Sequence, residues 1–296
     1  MRVFITGATG WIGSAVVDEL LDAGHEVTGL ARSDASAAAL DRKGARIRRG
    51  DLDDLDGLRV GAEEADAVIH LANKHDWSDP AESNRAERAA VETFAGTLTG
   101  TGRAFVLAAG LSTLAQGRPA TEADLSPAVG PESHRGGAEN LALEYAEKGM
   151  RVISARFAPS VHGVGDRGFL AAIVAAAREH GVSGYVGDGA TAWAAVHRTD
   201  AARLVRLGLE GAPTGTLLHA VAEEAVTTRE IAEAVGRTLG LPVVSVAPEN
   251  ATEHFGFVGR FFALDMSASS ARTRELLKWT PHGPSLAEDI EAGAYA

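Results

Sequence analysis

The chain has 296 residues, of which 45% are hydrophobic and 23% charged, and these ordinary globular proportions exclude a disordered protein. Its formal net charge of −12 excludes the basic surface that binds nucleic acid or anionic lipid, so neither nucleic acid nor a membrane is expected as a partner. It contains no cysteine, which excludes disulfides, thiolate nucleophiles and cysteine-ligated metals.

Targeting and metal-binding signals are also missing from the sequence. The N-terminus enters a β-rich run at once, without the long apolar region of a signal peptide, which favours a cytoplasmic protein. The longest apolar run, residues 169–177, is about half of the ~20 residues needed to cross a bilayer and predicts a buried helix. Histidines and carboxylates show no metal-ligand spacing such as H-E-x-x-H, so no metal site is expected.

Short β-rich runs alternate with helical stretches in the first half of the chain. Strands are predicted at 2–6, 25–31, 45–49, 66–72, 104–109 and 151–157. Helices are predicted at 11–23, 34–43, 54–61, 81–99 and 131–149. This alternation is typical of βαβ units, so the predicted fold class is α/β with a doubly wound parallel Rossmann sheet. Beyond about residue 160 the pattern loosens, which predicts a dinucleotide-binding domain over 1–160 and a second domain over 161–296 that interleaves with it.

The segment ITGATGWIG places glycines directly after the first strand and at the start of the first helix. Glycine permits a tight turn and a close approach of the backbone to a pyrophosphate, whose charge the helix N-terminus favours. A structural turn with chance spacing is the alternative, but the strand before the motif and the helix after it favour a dinucleotide. The predicted contacts are Gly7, Thr9, Gly10, Trp11, Ile12 and Gly13.

The end of the second strand indicates which dinucleotide is bound. NAD-binding proteins of this fold keep an acidic residue there for the ribose 2′-hydroxyl, whereas this chain has Arg32 followed by Ser33. A guanidinium pairs well with a 2′-phosphate, which favours NADP(H) as the cofactor. The alternative is an arginine that is merely solvated at a strand end.

Two further segments follow strands at the edge of the sheet where ligands of doubly wound folds collect. After the third strand, Asp51 and Leu52 are predicted to contact the adenine, although this acidic segment could instead favour the N-terminus of the next helix. After the fourth strand, Leu71, Ala72 and Asn73 are predicted to line the cofactor.

Several segments together resemble the extended short-chain dehydrogenase/reductase family, of the NAD(P)-dependent epimerase/dehydratase type. TGATGWIG is similar to its glycine loop, GDGATAWAAVHRTDAARL at 187–204 to its central motif, and GTLLHAVAEEAVTTREIAEAVGRTLG and RELLKWTP to its C-terminal segments. The resemblance covers nearly the whole chain. It implies a seven-stranded Rossmann core, a smaller C-terminal substrate domain, and often a homodimer packed through two helices, here near 81–99 and 132–148.

The proton relay of that family is broken in this chain. In the family, a tyrosine delivers the proton, a lysine four residues later lowers its pKa and holds the ribose, and a serine or threonine on strand five orients the substrate. None of the three tyrosines here has a lysine four residues later. Matching Glu139 to the glutamate of the family puts Pro131 at the tyrosine position and Arg135 at the lysine position. The chain therefore resembles an atypical subgroup without the tyrosine–lysine motif.

Other side chains are candidates for the chemistry. Arg135 cannot donate a proton at neutral pH, but it can hold the ribose or a developing oxyanion. The ordinary histidine pKa of about 6.5 would suit His134 to proton transfer, with a solvent-facing residue as the alternative. His162, after strand six, is a second acid candidate. Ser112 and Thr113 lie just past the position of the family serine and could hydrogen-bond the substrate.

The remaining candidates rest on the resemblance. Residues Phe157, Ala158, Pro159 and Ser160 would contact the nicotinamide. His75 and Trp77 follow strand four on the side where the substrate enters, with an ordinary polar loop as the alternative. Trp193 and His197 lie on a strand that walls the substrate pocket, and core packing is the alternative for Trp193.

These observations predict an NADPH-dependent oxidoreductase that reduces a small organic carbonyl or imine. An iminium arrives already protonated and needs no enzyme acid, which fits the lost tyrosine. Two alternatives stay open. One is a catalytically silent NADP-binding sensor or regulatory protein, and the other is a non-redox epimerase, isomerase or cyclase that keeps the cofactor as a structural part or a transient hydride store.

Overall fold

The computed structural model describes residues 1–74 and 79–295. Its strands, in chain order, are β1 Arg2–Thr6, β2 Glu26–Ala31, β3 Arg46–Arg49, β4 Ala67–His70, β5 Ala104–Gly110, β6 Arg151–Phe157, β7 Ser160–His162, β8 Ser183–Val186, β9 Ala192–His197, β10 Thr216–Ala220, β11 Glu223–Thr227 and β12 Val243–Val246. Its α-helices are α1 Trp11–Asp22, α2 Asp34–Arg42, α3 Leu55–Glu63, α4 Pro80–Leu98, α5 Ala138–Ala146, α6 Phe169–His180, α7 Arg198–Gly211, α8 Thr228–Leu239, α9 Ala251–Phe255, α10 Gly259–Phe262, α11 Ala271–Leu277 and α12 Leu286–Glu291.

Within the described residues, seven strands form one central sheet in the order β10-β6-β5-β4-β1-β2-β3. The β1–β2, β2–β3, β1–β4 and β4–β5 pairs are all parallel. The chain first builds outward through β2 and β3 and then crosses back to β4, so the strand order reverses between β1 and β4. This topology confirms the doubly wound α/β Rossmann fold, and ligands of such sheets bind at the reversal.

The inner strands are apolar on both faces, as expected where helices cover both sides of a parallel sheet. Residues 3–5 of β1 and all of β4 are buried. On one side of the sheet Phe94 packs against Phe4 and Phe105, with ring centroids 6.3 Å and 5.6 Å away. Each fully buried aromatic contributes about 1.5–3 kcal/mol relative to exposure, so this cluster anchors the elements that carry the glycine loop.

The chain forms two compact units. Unit 1 consists of Met1–Ala109, Leu125–Arg156 and Ala202–Leu218, and unit 2 of Gly110–Asp124, Phe157–Ala201 and His219–Ala296. The chain thus first enters unit 2 at Gly110, well before residue 160, and returns to unit 1 twice.

Helix α5 begins later than the sequence predicts. The predicted helix covers 131–149, but α5 spans Ala138–Ala146 and a short 3₁₀ helix occupies His134–Gly137. In that segment Arg135, Gly136 and Gly137 have φ angles of 54°, 59° and 62°, in the left-handed region. The prediction of a helix start near 131 is therefore wrong, because the two consecutive glycines reach this conformation easily and interrupt the right-handed helix.

Unit 2 has a hydrophobic core of its own. Strands β11-β9-β7 form a three-stranded sheet, and β12 and β8 form a two-stranded one. Trp193 is fully buried there and packs against Phe169 and Phe262, with ring centroids 5.7 Å and 5.2 Å away. Helix α8 opens with a capping box, in which Thr227 and Glu230 satisfy each other's backbone N–H groups.

The apolar run at 169–177 lies in α6, where Leu170, Ile173 and Val174 are buried. The predicted buried helix is therefore confirmed. In residues 1–74 and 79–295, no helix combines the length and apolar character that a membrane span requires.

Candidate functional site

The glycine loop between β1 and α1 leaves no room for larger residues. Gly7 has a φ of 69°, and the Gly10 N–H donates to the Gly7 carbonyl at 2.9 Å, which closes the turn. A Cβ on Gly13 would lie 2.0 Å from the Gly7 carbonyl oxygen. A Cβ on Gly7 would lie 2.7 Å from the nitrogen of Ala72, at the end of β4. The loop is therefore a backbone cradle of the shape that a pyrophosphate needs.

The N-terminus of α1 is open beside this turn. Its N-cap, Gly10, has no side chain with which to cap the helix. The first N–H groups of a helix have no partner within the helix, and together with the helix dipole they attract an anion. Thr9 is exposed, while Trp11 and Ile12 are partly exposed. The predicted residues of the loop therefore lie together around one helix N-terminus, and they fit a dinucleotide.

The carboxyl ends of β2 and β3 bring two arginines near each other. Arg49 is paired in register with the residue that precedes Arg32. It forms an ion pair with Asp34 at 2.6 Å. Arg32 is exposed and makes no hydrogen bond or ion pair with any residue that the structure describes. The next residue, Ser33, caps α2 by accepting the Ser36 N–H at 3.2 Å. An exposed guanidinium without a protein partner is available to a phosphate.

The acidic segment after β3 divides between two roles. Asp54 caps α3 by accepting the Gly57 N–H at 2.9 Å, so the N-terminus of α3 has its capping residue. Asp51 is exposed and accepts the Asp53 N–H at 2.9 Å in a small turn. Leu52 is buried. The helix-capping alternative therefore applies to Asp54, and contact of Asp51 and Leu52 with an adenine stays a prediction.

The carboxyl end of β4 is tied to β1 by hydrogen bonds. The Leu71 N–H donates to the Thr6 carbonyl at 3.2 Å, and the Ala72 N–H donates to the Thr6 hydroxyl oxygen at 3.3 Å. The same hydroxyl lies 2.7 Å from His70 Nδ1. These bonds hold the segment that the sequence assigns to the cofactor in a fixed position against the glycine loop.

The buried carboxylate of Glu87, in α4, lies close to two predicted site residues and to one neighbouring histidine. It accepts from Arg135 Nη2 at 2.5 Å and from Asn73 Nδ2 at 2.8 Å, and its Oε1 lies 3.9 Å from His70 Nε2. Arg135 Nη1 also donates to the Ala108 carbonyl of β5 at 2.8 Å. Asn73 and Arg135 therefore share one polar cluster with Glu87 and His70, which sequence reasoning did not select.

The sequence does carry a signal for Glu87. Ala86, Ala90, Val91 and Phe94 recur at spacings of three and four along α4 and form its buried face, and Glu87 falls among them. A carboxylate on an apolar face is costly unless it is paired, so its presence there indicates a buried partner.

His70 lies wholly inside unit 1, between Glu87 and Thr6. Burial lowers the pKa of His70, with Glu87 opposing and Arg135 adding to the effect. The neutral ring accepts the Thr6 hydroxyl proton at Nδ1 most favourably, because its Nε2–H then faces the Glu87 carboxylate. This tautomer is inferred from the hydrogen-bonding partners.

The lowered pKa of His70 predicts acid sensitivity. Below the ordinary histidine pKa of about 6.5, the unfolded chain takes up a proton that the folded chain resists, so stability is lost as the pH falls from that value towards the folded pKa. The maximum slope is about 1.4 kcal/mol per pH unit for one histidine. We expect the urea concentration at the midpoint of unfolding to be lower at about pH 5.5 than at about pH 7.5. This decrease should be smaller in His70→Gln. An equal fall in both proteins would contradict this assignment.

His134 and Pro131 lie at the surface. Partial removal from water, and then the neighbouring Arg135 guanidinium, lower the pKa of His134. A lowered pKa leaves the imidazole neutral at pH 7, so the ring is a weaker source of protons than an unperturbed histidine. Pro131 has neither a side-chain donor nor a backbone N–H. The family tyrosine is therefore not replaced by an acid at its own position.

Ser112 and Thr113 follow β5 in unit 2. Thr113 is exposed with a φ of 64°, which is an outlier for a β-branched residue. Its hydroxyl donates to the Ser112 carbonyl at 2.6 Å. The Ser112 side chain is only partly exposed. The role of these two hydroxyls toward a substrate stays a prediction.

The segment between β6 and β7 contains the residues predicted to contact the nicotinamide. Phe157, Ala158 and Ser160 are buried, and Pro159 is partly exposed. The Ser160 hydroxyl is buried and has no hydrogen-bond partner in the part of the chain that the structure describes. Because buried hydroxyls nearly always have a partner, this one is available to a water or a ligand.

His162 forms a buried contact with Asp289 of α12. Its Nδ1 lies 2.6 Å from Asp289 Oδ2, and His197 Nε2 lies 3.9 Å from the same oxygen. Burial lowers the pKa of His162, and Asp289 opposes that effect. His162 has no exposed surface, so proton exchange with a substrate would require local opening. The His197 ring is partly exposed, with Nδ1 2.8 Å from the Thr199 hydroxyl.

The other candidates for substrate contact are Trp193, His75 and Trp77. The Trp193 indole is fully buried and its N–H is shared between the carbonyls of Phe261 and Leu264, each at 3.2 Å. This placement favours the core-packing alternative. His75 and Trp77 lie outside the described residues. Among the residues that are described, no group of three or more His, Asp and Glu side chains is arranged to hold a metal.

Comparison with known proteins agrees with the fold. Residues 3–217 match the family described as "NAD dependent epimerase/dehydratase family". An uncharacterized protein of Schizosaccharomyces pombe is 42% identical over 296 residues, which cover 100% of both chains. A Streptomyces kanamyceticus protein named 2'-dehydrokanamycin reductase is 30% identical over 271 residues, covering 86% of this chain and 71% of the relative.

Solved structures share the fold at lower sequence identity. The UDP-glucose 4-epimerase of Thermus thermophilus, solved in complex with NAD, has a TM-score of 0.76 at 21% identity. The comparison covers 99% of this chain and 98% of the epimerase. At this identity the similarity establishes the fold alone.

Proposed function

The chain belongs to the NAD dependent epimerase/dehydratase family, and from this premise we propose that it is an NADPH-dependent oxidoreductase that reduces a small organic carbonyl or imine. The observation that carries the proposal is the backbone cradle at Gly7 and Gly13, with the exposed Arg32 at the end of the neighbouring strand. The relative named as a reductase supports reduction, and the epimerase–NAD complex supports a nicotinamide dinucleotide as the ligand.

The residues present fit that cofactor. Gly7, Gly10 and Gly13 would hold its pyrophosphate through backbone N–H groups, and Arg32 with Ser33 would hold a 2′-phosphate. When bound, the cofactor supplies a hydride. Arg135, held by Glu87 and the Ala108 carbonyl, places a positive charge at the edge of the sheet without being able to give up a proton. The chain therefore lacks an evident proton donor at the position of the family tyrosine, and this lack favours a substrate that arrives protonated, such as an iminium.

Arg32→Ala tests the cofactor preference. Loss of one charge-assisted contact to a phosphate removes about 1.5–3 kcal/mol, so we expect the Kd for NADPH to rise about tenfold to a hundredfold and the Kd for NADH to stay nearly unchanged. Isothermal titration calorimetry measures both. Arg46→Ala is the matched control, because Arg46 is an exposed arginine at the amino end of β3, ion-paired to Glu26 at 2.9 Å. An equal loss of NADPH affinity in both variants would contradict a specific role for Arg32.

Turnover by the unmodified chain tests the proposed reaction. NADPH oxidation is followed at neutral pH with a cyclic imine and with the ketone of the same ring. We expect turnover of the imine and slower turnover of the ketone; equal rates would contradict the imine preference while leaving the reductase proposal intact. Tight NADPH binding with no turnover of any carbonyl or imine would instead indicate a sensor, and product formation without net NADPH oxidation would indicate an isomerase or cyclase.

A further inference from the structure

Of the acidic groups that the structure describes near the predicted cofactor residues, Glu87 is the most deeply buried, with a side chain only 1% exposed. It lies on the inner face of α4, next to a histidine that is itself fully buried. A carboxylate in this position is costly unless several donors satisfy it. Arg135 and Asn73 are those donors, at 2.5 Å and 2.8 Å. A purely apolar residue would suit the helix face better, so the charge calls for another explanation than packing.

The contacts of Glu87 and its partners join adjacent parts of the sheet edge. Asn73 follows β4, and Ala108, whose carbonyl accepts from Arg135, lies in β5. β4 and β5 are neighbours in the sheet. One carboxylate and one guanidinium thus fix the segment after β4, the end of β5 and the turn before α5 relative to each other.

The backbone conformation of Arg135 indicates a functional role for its side chain. Its φ of 54° and ψ of 28° lie in the left-handed region, which is unfavourable for a residue with a Cβ, while the next two residues are glycines in the same conformation. A third glycine would adopt this turn without strain. Non-glycine residues held in such conformations concentrate at functional sites, where the side chain is needed at that position.

The two partners differ in exposure. The Arg135 side chain is 25% exposed, whereas that of Glu87 is almost fully buried. A guanidinium carries five N–H donors. The described contacts use one on each terminal nitrogen, so Arg135 retains donors for a ligand at its exposed edge. Glu87 has no such access and can act only through the groups it holds.

We propose that Glu87 is a positioning residue that fixes the Arg135 guanidinium, together with the Asn73 amide, for contact with the bound cofactor. This inference rests on the proposed function, since it takes NADPH as the ligand. It adds a residue of α4 to the site, and it gives a reason for the strained arginine within the 3₁₀ helix that precedes α5.

Two variants separate positioning from simple structural support. Glu87→Gln keeps the shape of the side chain but removes its charge, and it should lower the melting temperature by about 4 °C or more. Glu87→Gln/Arg135→Gly removes both buried charge and backbone strain, so it should melt within about 3 °C of the unmodified chain. Glu92→Gln, on the exposed side of the same helix, is the control and should change neither stability nor binding.

NADPH affinity, measured by calorimetry, is the deciding readout and needs no substrate. We expect the Kd for NADPH to rise at least about tenfold in Glu87→Gln and to remain raised in the double variant, even though its stability is restored. Where a reducible substrate is found, kcat/KM should fall in both variants on the order of 10²-fold, because a side chain misplaced by about 1 Å costs that much.

The possible results distinguish the two proposals. If the unmodified chain binds NADPH and the Kd of Glu87→Gln is within twofold of it, or if the double variant recovers full affinity together with its stability, the assignment of Glu87 is overturned and the proposed function stands. If the unmodified chain binds neither NADPH nor NADH, the proposed function fails and the role of Glu87 fails with it.

Discussion

Gly13→Ala is expected to weaken NADPH binding on the order of 10²-fold, by displacing the backbone that would carry the pyrophosphate. The added Cβ would lie 2.0 Å from the Gly7 carbonyl oxygen and 3.2 Å from the Ala8 Cα. Real Cβ atoms do not approach a backbone oxygen so closely, so the turn between β1 and α1 has to open. Gly10 donates to that same carbonyl, and the displacement would therefore spread through the turn. Calorimetric titration with NADPH measures the loss.

The same substitution should lower stability by about 1–3 kcal/mol, the usual cost of overpacking. Gly96→Ala is the matched control, because Gly96 lies in α4 and a Cβ added to it would have nothing within 4 Å. Alanine is the better helix former there by about 1 kcal/mol, so this variant should be as stable as the unmodified chain or more so, with unchanged NADPH affinity. Full NADPH affinity in Gly13→Ala would mean that the glycine loop is only a structural turn.

The sequence predicts the fold well where its signals are local. Alternating apolar strands and helices, each closed by a short turn, predict the elements of the doubly wound sheet, whereas the strand order and its reversal between β1 and β4 are seen only in the structure. The start of α5 is not predicted correctly, because the left-handed backbone at Gly136 and Gly137 interrupts the helix before Ala138. The early passage of the chain into unit 2 at Gly110 has no local signal at all.

Some residues of the candidate site are likewise recognisable from the sequence, and others are not. The glycine loop and Arg32 are recognisable because backbone conformation and charge at a strand end follow from the residue itself. Glu87 and Asp289 are not recognisable in this way, because the role of each depends on a partner far along the chain. The partner of Glu87 is Arg135, and the partner of Asp289 is His162. A sequence shows that a charged residue interrupts an apolar face, but it does not show which residue completes the pair.

A buried ion pair at the start of α5 carries the largest expected stability effect. Glu139 accepts from Arg156 Nε at 2.7 Å and from Arg156 Nη2 at 3.0 Å, and the Ser154 hydroxyl also donates to it. Arg156 is fully buried in β6. This pair attaches the first turn of α5, directly after the left-handed residues, to the central sheet. The resemblance matched Glu139 to a family glutamate only to align the motif, whereas the structure gives it a structural partner.

Glu139→Gln is therefore expected to destabilise the chain by about 3–5 kcal/mol, since it removes one charge of the pair and leaves the Arg156 charge buried without this carboxylate. The melting temperature should fall by about 10 °C, as read from circular dichroism. Glu144→Gln, an exposed glutamate in the same helix, is the control and should change stability by less than about 0.5 kcal/mol. Replacing both partners, as in Glu139→Leu/Arg156→Met, should recover most of the loss, because apolar residues of similar volume often substitute for a buried pair without cost. If Glu139→Gln melted at the temperature of Glu144→Gln, the pair would not be what holds α5 to the sheet, and the conformation of Arg135 would have to be maintained by Glu87 and the glycines alone.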